Sequence, residues 1–246
     1  MSWIPSMPTD ESAHAVYEAV VPAGQHSLRA RIYRPAEPTG WVIVGYSRYY
    51  RQFILSDATF GNAGLATMHL QLQPPEISPG LLESEIATQL TEQLMQATHW
   101  LGSRFDAKPL PIGLFGAYQD AGVALSTAAF LGNDIGAVVS FQGRPENSMN
   151  HLAEITAPTL LLVNQADTAV LATNVQARWW LRCTHQLSLV PGQMRLLREK
   201  SSFDAVNQLA GNWYIRHLLG RQPLKDLPGQ LLKKSVGQEW RGELLH

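Results

Sequence analysis

The chain has 246 residues, which is enough for one α/β domain with a complete hydrophobic core. Hydrophobic residues make up 45% of the chain and charged residues 16%, a balance that excludes an intrinsically disordered protein. The formal net charge of -1 and the lack of a long basic run argue against nucleic acid or an anionic membrane as the main partner.

Hydrophobic patterns predict strands and helices that alternate along most of the chain. Strands are predicted at residues 13–21, 27–33, 41–45, 65–70, 111–115, 135–140, 159–163 and 186–190. Helices are predicted at residues 53–63, 79–101, 173–181 and 202–219, with another directly after residue 118, and residues 141–150 are predicted to be a loop. The alternation predicts an α/β fold, a mostly parallel central sheet with helices on both faces.

This alternating pattern continues through residues 13–220 without a linker, which predicts a single domain. Residues 1–12 carry two prolines and no periodicity, so we expect a loosely held N-terminal arm. Residues 221–246 are predicted to be a C-terminal extension, in which prolines and a glycine interrupt the apolar positions. This extension either packs back on the domain or binds a partner.

Cysteine content and chain pattern predict a cytoplasmic protein. Cys183 is the single cysteine, so an internal disulfide is impossible. Residues 1–24 lack the pattern of a secretory signal peptide, and no long uninterrupted apolar run follows. The histidines do not have spacings typical of a metal site, so neither a metal nor a cofactor is expected.

One stretch, residues 111–124, predicts a sharp turn between a buried strand and a helix. The apolar run ends at Gly116, small residues follow, and apolar residues then recur at helical spacing. This context is typical of the nucleophile elbow of hydrolases, whose pattern is G-x-S-x-G. The pattern here is Gly116-Ala117-Tyr118-Gln119-Asp120.

The chain resembles the dienelactone-hydrolase-like branch of the α/β-hydrolases. The resemblance rests on residues 41–47, 110–124, 137–145, 157–168 and 190–195. It places the nucleophile position on Tyr118, the acid on Asp167 and the base on Arg195, in the chain order that the branch uses. It also places the loop that supplies an oxyanion hole on Gly45-Tyr46-Ser47-Arg48.

Two functional hypotheses follow from these positions. Tyr118 cannot replace a serine nucleophile, because its oxygen lies farther from the backbone, and the guanidinium of Arg195 does not act as a base near neutral pH. The favoured hypothesis is a catalytically degenerate α/β-hydrolase-like protein, a pseudo-hydrolase that binds a small ligand or a protein through the former active-site cleft. The alternative is a hydrolase or acyl-transfer enzyme for ester, thioester or lactone substrates with a rearranged nucleophile, Ser47 or Cys183.

The cleft residues predict what such a protein would bind. In open α/β sheets, ligands lie at the carboxyl ends of the strands. Arginine and tyrosine side chains there predict a small anionic ligand or an acidic group of a partner protein. We expect Asp167 to pair with Arg195 and Asp120 to neutralise another arginine, which leaves a surplus of positive charge. The alternative to ligand binding is that Tyr118 fills the cleft and the arginine side chains point to solvent. The predicted binding residues are Tyr46, Ser47, Arg48, Tyr118, Arg144, Asp167 and Arg195.

Overall fold

The structure, a computed structural model, describes residues 15–47, 55–75, 82–104, 109–191 and 200–221. In these residues, eight strands form one sheet in the order β1-β2-β4-β3-β5-β6-β7-β8. The strands from β4 to β8 in that order run parallel, whereas β1 and β2 are antiparallel additions at one edge. The strands are β1 Ala15–Ala23, β2 His26–Arg34, β3 Gly40–Tyr46, β4 Leu65–Gln71, β5 Ile112–Ala117, β6 Ile135–Phe141, β7 Thr159–Asn164 and β8 His185–Val190.

Helices cover both faces of this sheet. The helices are α1 Asp57–Asn62, α2 Glu83–Arg104, α3 Gln119–Leu131, α4 Thr168–Ala177 and α5 Lys200–His217, with 3-10 helices at Gly132–Asp134 and Pro145–Glu154. Two buried apolar clusters result, one under α2, α3 and α4 and one under α1 and α5. The predicted fold class, a mostly parallel sheet with helices on both faces, is therefore confirmed. None of the helices in these ranges is long and apolar enough to cross a membrane.

The central strands are buried on both faces, which explains their continuous apolar sequences. Every residue of β5 is buried, and so is every residue of β7. On the α5 side, the hydroxyl of the fully buried Tyr214 donates a hydrogen bond of 2.7 Å to the carbonyl oxygen of Leu114. Gly113 leaves the space for that ring, because a Cβ there would lie 2.6 Å from Tyr214 Cε1.

Element boundaries differ from the prediction where a local side chain decides them. The helix predicted at residues 173–181 is α4, which begins at Thr168 because the Asp167 carboxylate accepts a hydrogen bond from Val170 N and caps it. The predicted loop at residues 141–150 includes most of the 3-10 helix Pro145–Glu154. The helix predicted at 53–63 is described only as the six-residue α1, capped by Ser56.

The first hairpin is tighter than the sequence suggests. The strands predicted at 13–21 and 27–33 leave residues 22–26 between them, but β1 continues through Ala23, and only Gly24 and Gln25 join it to β2. Gly24 has φ of +62°, the left-handed conformation that such two-residue turns require. Pro22 is tolerated within β1 because this strand lies at the edge of the sheet. The predicted arm at residues 1–12, the start of the 79–101 helix and residues 222–246 of the extension lie outside the described residues.

Candidate functional site

The strand β5, Tyr118 and α3 form a strained strand–turn–helix unit. Tyr118 has φ of 55° and ψ of -122°, a conformation that non-glycine residues seldom adopt. Gly116 is required just before it, because a Cβ at this position would overlap the carbonyl oxygen of Asp120 and lie 2.7 Å from Ala121 Cα. The chain therefore turns sharply and presents Tyr118 at the apex, at the carboxyl end of β5.

Tyr118 is held against the neighbouring strand β6. Its backbone N–H donates a 2.8 Å hydrogen bond to the carbonyl oxygen of Phe141. The two rings meet edge to face, with centroids 5.9 Å apart and an interplanar angle of 68°. The Tyr118 side chain is half-buried, so part of the ring still faces solvent at this edge of the sheet.

The carboxyl group of Asp120, in the first turn of α3, is bound by Ser47 at the end of β3. Asp120 Oδ2 accepts 2.8 Å and 3.1 Å hydrogen bonds from the backbone N–H and the hydroxyl of Ser47. Only 4% of Ser47 and 3% of Asp120 is exposed. Burial raises the pKa of Asp120 from 3.8 to about 6, although both hydrogen bonds from Ser47 act to lower it.

The expectation that Asp120 neutralises an arginine stays a prediction, because Arg48 lies outside the described residues. Asp120 forms no ion pair with any residue in the described ranges, and its contacts are those with Ser47. Sequence reasoning missed this pairing because the two residues are 73 positions apart. Within the described residues, the Asp120 carboxylate is held by these two hydrogen bonds from Ser47.

Asp167 is connected to Gln142, which the sequence did not identify. Asp167 Oδ1 caps α4 through a 3.1 Å hydrogen bond from Val170 N, and Oδ2 accepts a 3.1 Å bond from Gln142 Nε2. Gln142 has φ of 51°, and its Oε1 accepts a 2.7 Å hydrogen bond from Asn164 N. Gln142 thus joins the ends of β6 and β7. No motif marks it, since a glutamine after a strand is unremarkable in sequence.

The remaining predicted binding residues are placed as follows. Tyr46 ends β3 and is half-buried, whereas Arg144 is exposed and directly precedes the 3-10 helix Pro145–Glu154. Arg48 and Arg195 lie outside the described residues, so the ion pair of Arg195 with Asp167 stays a prediction. Ser47, Tyr118, Gln142 and Asp167 follow the carboxyl ends of adjacent parallel strands and so lie along one edge of the sheet.

Cys183, the other proposed nucleophile, lies elsewhere. It precedes β8, and its Sγ is 3.6 Å from the hydroxyl of Thr159 at the start of β7. This position is at the amino ends of the strands, opposite the edge that holds Tyr118. Burial raises the pKa of the Cys183 thiol, so the reactive thiolate is disfavoured. Within the described ranges, no three His, Cys, Asp or Glu side chains group as metal ligands would.

Comparison with solved structures identifies the family. The crystal structure of dienelactone hydrolase from Anabaena variabilis is 30% identical in sequence and superposes with a TM-score of 0.75. The match covers 84% of this chain and 100% of that one. The chain belongs to the dienelactone-hydrolase-like branch of the α/β-hydrolases. A cold-adapted esterase from an Arctic intertidal metagenomic library shares the fold of this branch at 15% identity and a TM-score of 0.63, over 89% of this chain and all of the esterase.

Curated relatives of this dienelactone-hydrolase-like chain carry a different name. Two Mycobacterium tuberculosis proteins, provisionally named phosphoribosyl transferase, are 35% identical over 211 residues. The match covers 84% of this chain but 47% of each relative, so the chain spans about half the length of the curated relatives it matches. No protein-family model matches the chain.

Proposed function

We propose that this chain is a non-catalytic member of the dienelactone-hydrolase-like branch. It binds a small ligand or a partner protein through the cleft at the carboxyl ends of β3, β5, β6 and β7. The observation that carries this proposal is Tyr118 at the apex of the strained turn, where the branch has its nucleophile. A protonated phenol is a poor nucleophile, and the Tyr118 ring packs on Phe141.

The contact between Asp120 and Ser47 supports the same proposal. In the α/β-hydrolases, the oxyanion hole combines the N–H after the nucleophile with an N–H from the loop that follows the strand equivalent to β3. Here the N–H of Ser47, in that loop, is already donated to a carboxylate. A negative charge beside a developing oxyanion opposes the stabilisation that acyl transfer needs.

The acid of the former triad is also engaged elsewhere. Asp167 gives one oxygen to the N-terminus of α4 and the other to Gln142. Each carboxylate oxygen can accept two hydrogen bonds, so Asp167 could still accept from a further donor. The base position in the sequence is Arg195, which does not deprotonate near neutral pH. Two of the three positions, Tyr118 and Arg195, therefore lack the chemistry that the triad requires, whereas Asp167 keeps a carboxylate.

Ester and lactone hydrolysis by the purified chain tests the proposal. We expect no turnover above buffer with activated short-chain aryl esters, thioesters and lactones. Tyr118→Ser alone should remain inactive, because nucleophile and base act as a unit. The combination of Tyr118→Ser, Asp120→Gly and Arg195→His is the variant that could recover activity. Turnover by the natural chain that survives further purification would overturn the proposal.

One observation favours a second candidate, a hydrolase or acyl-transfer enzyme with a rearranged nucleophile. Ser47 Oγ lies 3.1 Å from Asp120 Oδ2, and an acid with a pKa of about 6 accepts protons at neutral pH. Near-complete burial of both groups opposes this role. A fluorophosphonate probe distinguishes the candidates, because a nucleophilic Ser47 would label in the native protein and lose the label in Ser47→Ala. Absence of labelling supports the binding function.

The curated relatives suggest the kind of protein with which this binding function is associated. Their name describes proteins about twice as long as the region that matches this chain. We therefore assign the chain a binding role beside a phosphoribosyl transferase, and not the transfer reaction itself. Pyrophosphate release from phosphoribosyl pyrophosphate and a purine base should equal the buffer rate. Release above that rate, with proportionality to the concentration of the chain, would contradict this assignment.

A further inference from the structure

Two tryptophan side chains are exposed to solvent on the turn that follows α4. Trp179 is 83% exposed and Trp180 is 54% exposed, although a tryptophan ring gains more from burial than most side chains. Together they leave about 300 Å² of mainly apolar surface in water, which is the size of a patch that is often an interaction site. The two rings are adjacent on one turn, so they differ from the single, scattered apolar residues that a protein surface normally shows.

The backbone of this turn is fixed by hydrogen bonds and by one buried side chain. The N–H of Trp179 donates to the carbonyl oxygen of Gln176, and the N–H of Trp180 donates to that of Ala177, both at 3.0 Å. Leu181, the next residue, is buried in the same apolar cluster as Ala177. The two rings therefore extend from an ordered backbone, which lowers the conformational entropy that a complex would cost.

The polar groups beside the two rings are hydrogen-bond donors. Within the described residues, neither indole N–H donates to a protein group, and the exposed Arg182 forms no ion pair. Residues 168–190, which span α4, the turn and β8, contain two arginines and no acidic residue. The 3-10 helix that packs on α4 carries Glu146 and Glu154, and the carboxylate of Glu154 lies 3.8 Å from His151 Nδ1. The surface around the rings is therefore rich in donors and positive charge.

This surface matches an acidic protein segment better than a second copy of the chain or a membrane. Tryptophan and arginine often dominate the binding energy of protein interfaces, and carboxylates accept from both indole N–H groups and a guanidinium. In a two-fold dimer the surface would meet its own copy, which brings two positive patches together. An anionic membrane is held by about four to eight clustered basic residues, whereas residues 168–190 contain two arginines.

We propose that Trp179, Trp180 and Arg182 form a docking surface, the tryptophan patch, for an acidic segment of a partner protein. An apolar side chain of that segment packs on the two rings, and one of its carboxylates is bound by Arg182. The patch lies between α4 and β8, near the amino end of β8 and at the edge of the sheet opposite Tyr118. This inference therefore goes beyond the proposed function, which concerns the cleft at the carboxyl ends of the strands.

Selection of random dodecapeptides displayed on phage tests the inference with the full chain. Peptides that also bind the Trp179→Ala/Trp180→Ala double variant are removed at each round. We expect the remaining peptides to be enriched in aspartate and glutamate by roughly twofold or more over the starting library, and to carry apolar side chains. Recovery of basic peptides, or of no peptide that needs the two tryptophans, would overturn the inference.

Titration of one selected acidic peptide, labelled with a fluorophore and followed by anisotropy, assigns the contacts. Trp179→Ala should weaken binding by roughly tenfold or more, because the ring is the anchor of the contact. Arg182→Glu should weaken it by a similar factor, whereas Arg182→Lys should keep most of the affinity because it keeps the charge. Leu82→Ala, which removes an exposed apolar side chain just before α2, is the control and should bind as the natural chain does. Unchanged affinity in Trp179→Ala or in Arg182→Glu would show that the proposed contacts are wrong.

Two further measurements distinguish a partner protein from the other occupants. The natural chain and the double variant should have the same molar mass by light scattering, and neither should sediment with vesicles of phosphatidylserine and phosphatidylcholine. A dimer that is lost in the double variant would identify a second copy as the occupant, and sedimentation that is lost in it would identify a membrane. Either result would overturn the inference. The substituted side chains are exposed, so circular dichroism should show the natural fold in every variant.

Discussion

Replacing Asp120 with asparagine should stabilise the fold at neutral pH. The pKa of this acid rises from 3.8 in the unfolded chain to about 6 in the folded chain. The folded state therefore binds the proton more tightly, and the associated stability is fully present below about pH 3.8 and lost as the pH rises through about 6. At 1.36 kcal/mol per unit, the ionised acid costs up to about 3 kcal/mol at pH 7.

Asparagine removes that cost and keeps an oxygen that can accept from Ser47. The amide oxygen accepts hydrogen bonds more weakly than a carboxylate, which offsets roughly 1 kcal/mol of the gain. We expect Asp120→Asn to raise the free energy of unfolding by about 1–2 kcal/mol at pH 8. For a chain of this size, that corresponds to an increase of roughly 2–8 °C in Tm. Near pH 4 the gain should disappear, because Asp120 is then protonated in the folded state.

Urea unfolding at pH 4, 5, 6, 7 and 8, followed by far-ultraviolet circular dichroism, measures this difference. The Asp134→Asn variant, in which an exposed acid is changed, is the control and should show no comparable pH-dependent gain. If Asp120→Asn were destabilising at pH 8 and neutral at pH 4, the ionised carboxylate would be net stabilising. In that case our account of Asp120 as an acid whose ionisation is disfavoured by burial would be refuted.

Three further predictions address the turn and the cysteine. In urea unfolding, Gly116→Ala should destabilise the fold by about 1–3 kcal/mol, because the added Cβ would overlap the carbonyl oxygen of Asp120. The control Gly102→Ala has open space around its Cβ and should be neutral or slightly stabilising. Tyr118→Gly should raise the free energy of unfolding by about 1 kcal/mol or more, because glycine relieves the backbone strain at φ of 55°. An unchanged or lower free energy of unfolding would show that the contact of the Tyr118 ring with Phe141 outweighs this strain. Cys183 should react slowly with iodoacetamide at pH 8 and rapidly after unfolding, since burial raises its pKa, and equal rates would contradict that assignment.

The fold was predictable because its signals are local. Continuous apolar runs predict the buried central strands, and Gly116 with the following small residues predicts the sharp turn before α3. The predicted start of α4, residue 173, was five residues too late. The prediction followed the apolar spacing and did not use Asp167 as the helix cap. The capping residue and the apolar periodicity indicate different starts for this helix, and the cap at Asp167 gives the observed one.

The contacts of the site were much less predictable. Gln142 reaches Asp167 and Asn164 only because its own backbone adopts a positive φ and β6 lies beside β7. The Asp120–Ser47 contact needs β3 and β5 to be neighbours, although β4 separates them in the chain. Sequence reasoning expected Asp120 to neutralise an arginine, which stays a prediction, and it did not anticipate the backbone N–H and hydroxyl of Ser47 as partners.

The hydrogen bond from Ser47 N to Asp120 also makes one amide a reporter on the cleft. This N–H can exchange with solvent deuterium only when the end of β3 separates from the start of α3, since it is buried and donated across that junction. Its native-state exchange rate therefore measures the free energy of local opening between two elements that are distant in sequence. A compound that stabilises the contact between Ser47 and Asp120 would slow this exchange without covering the amide itself.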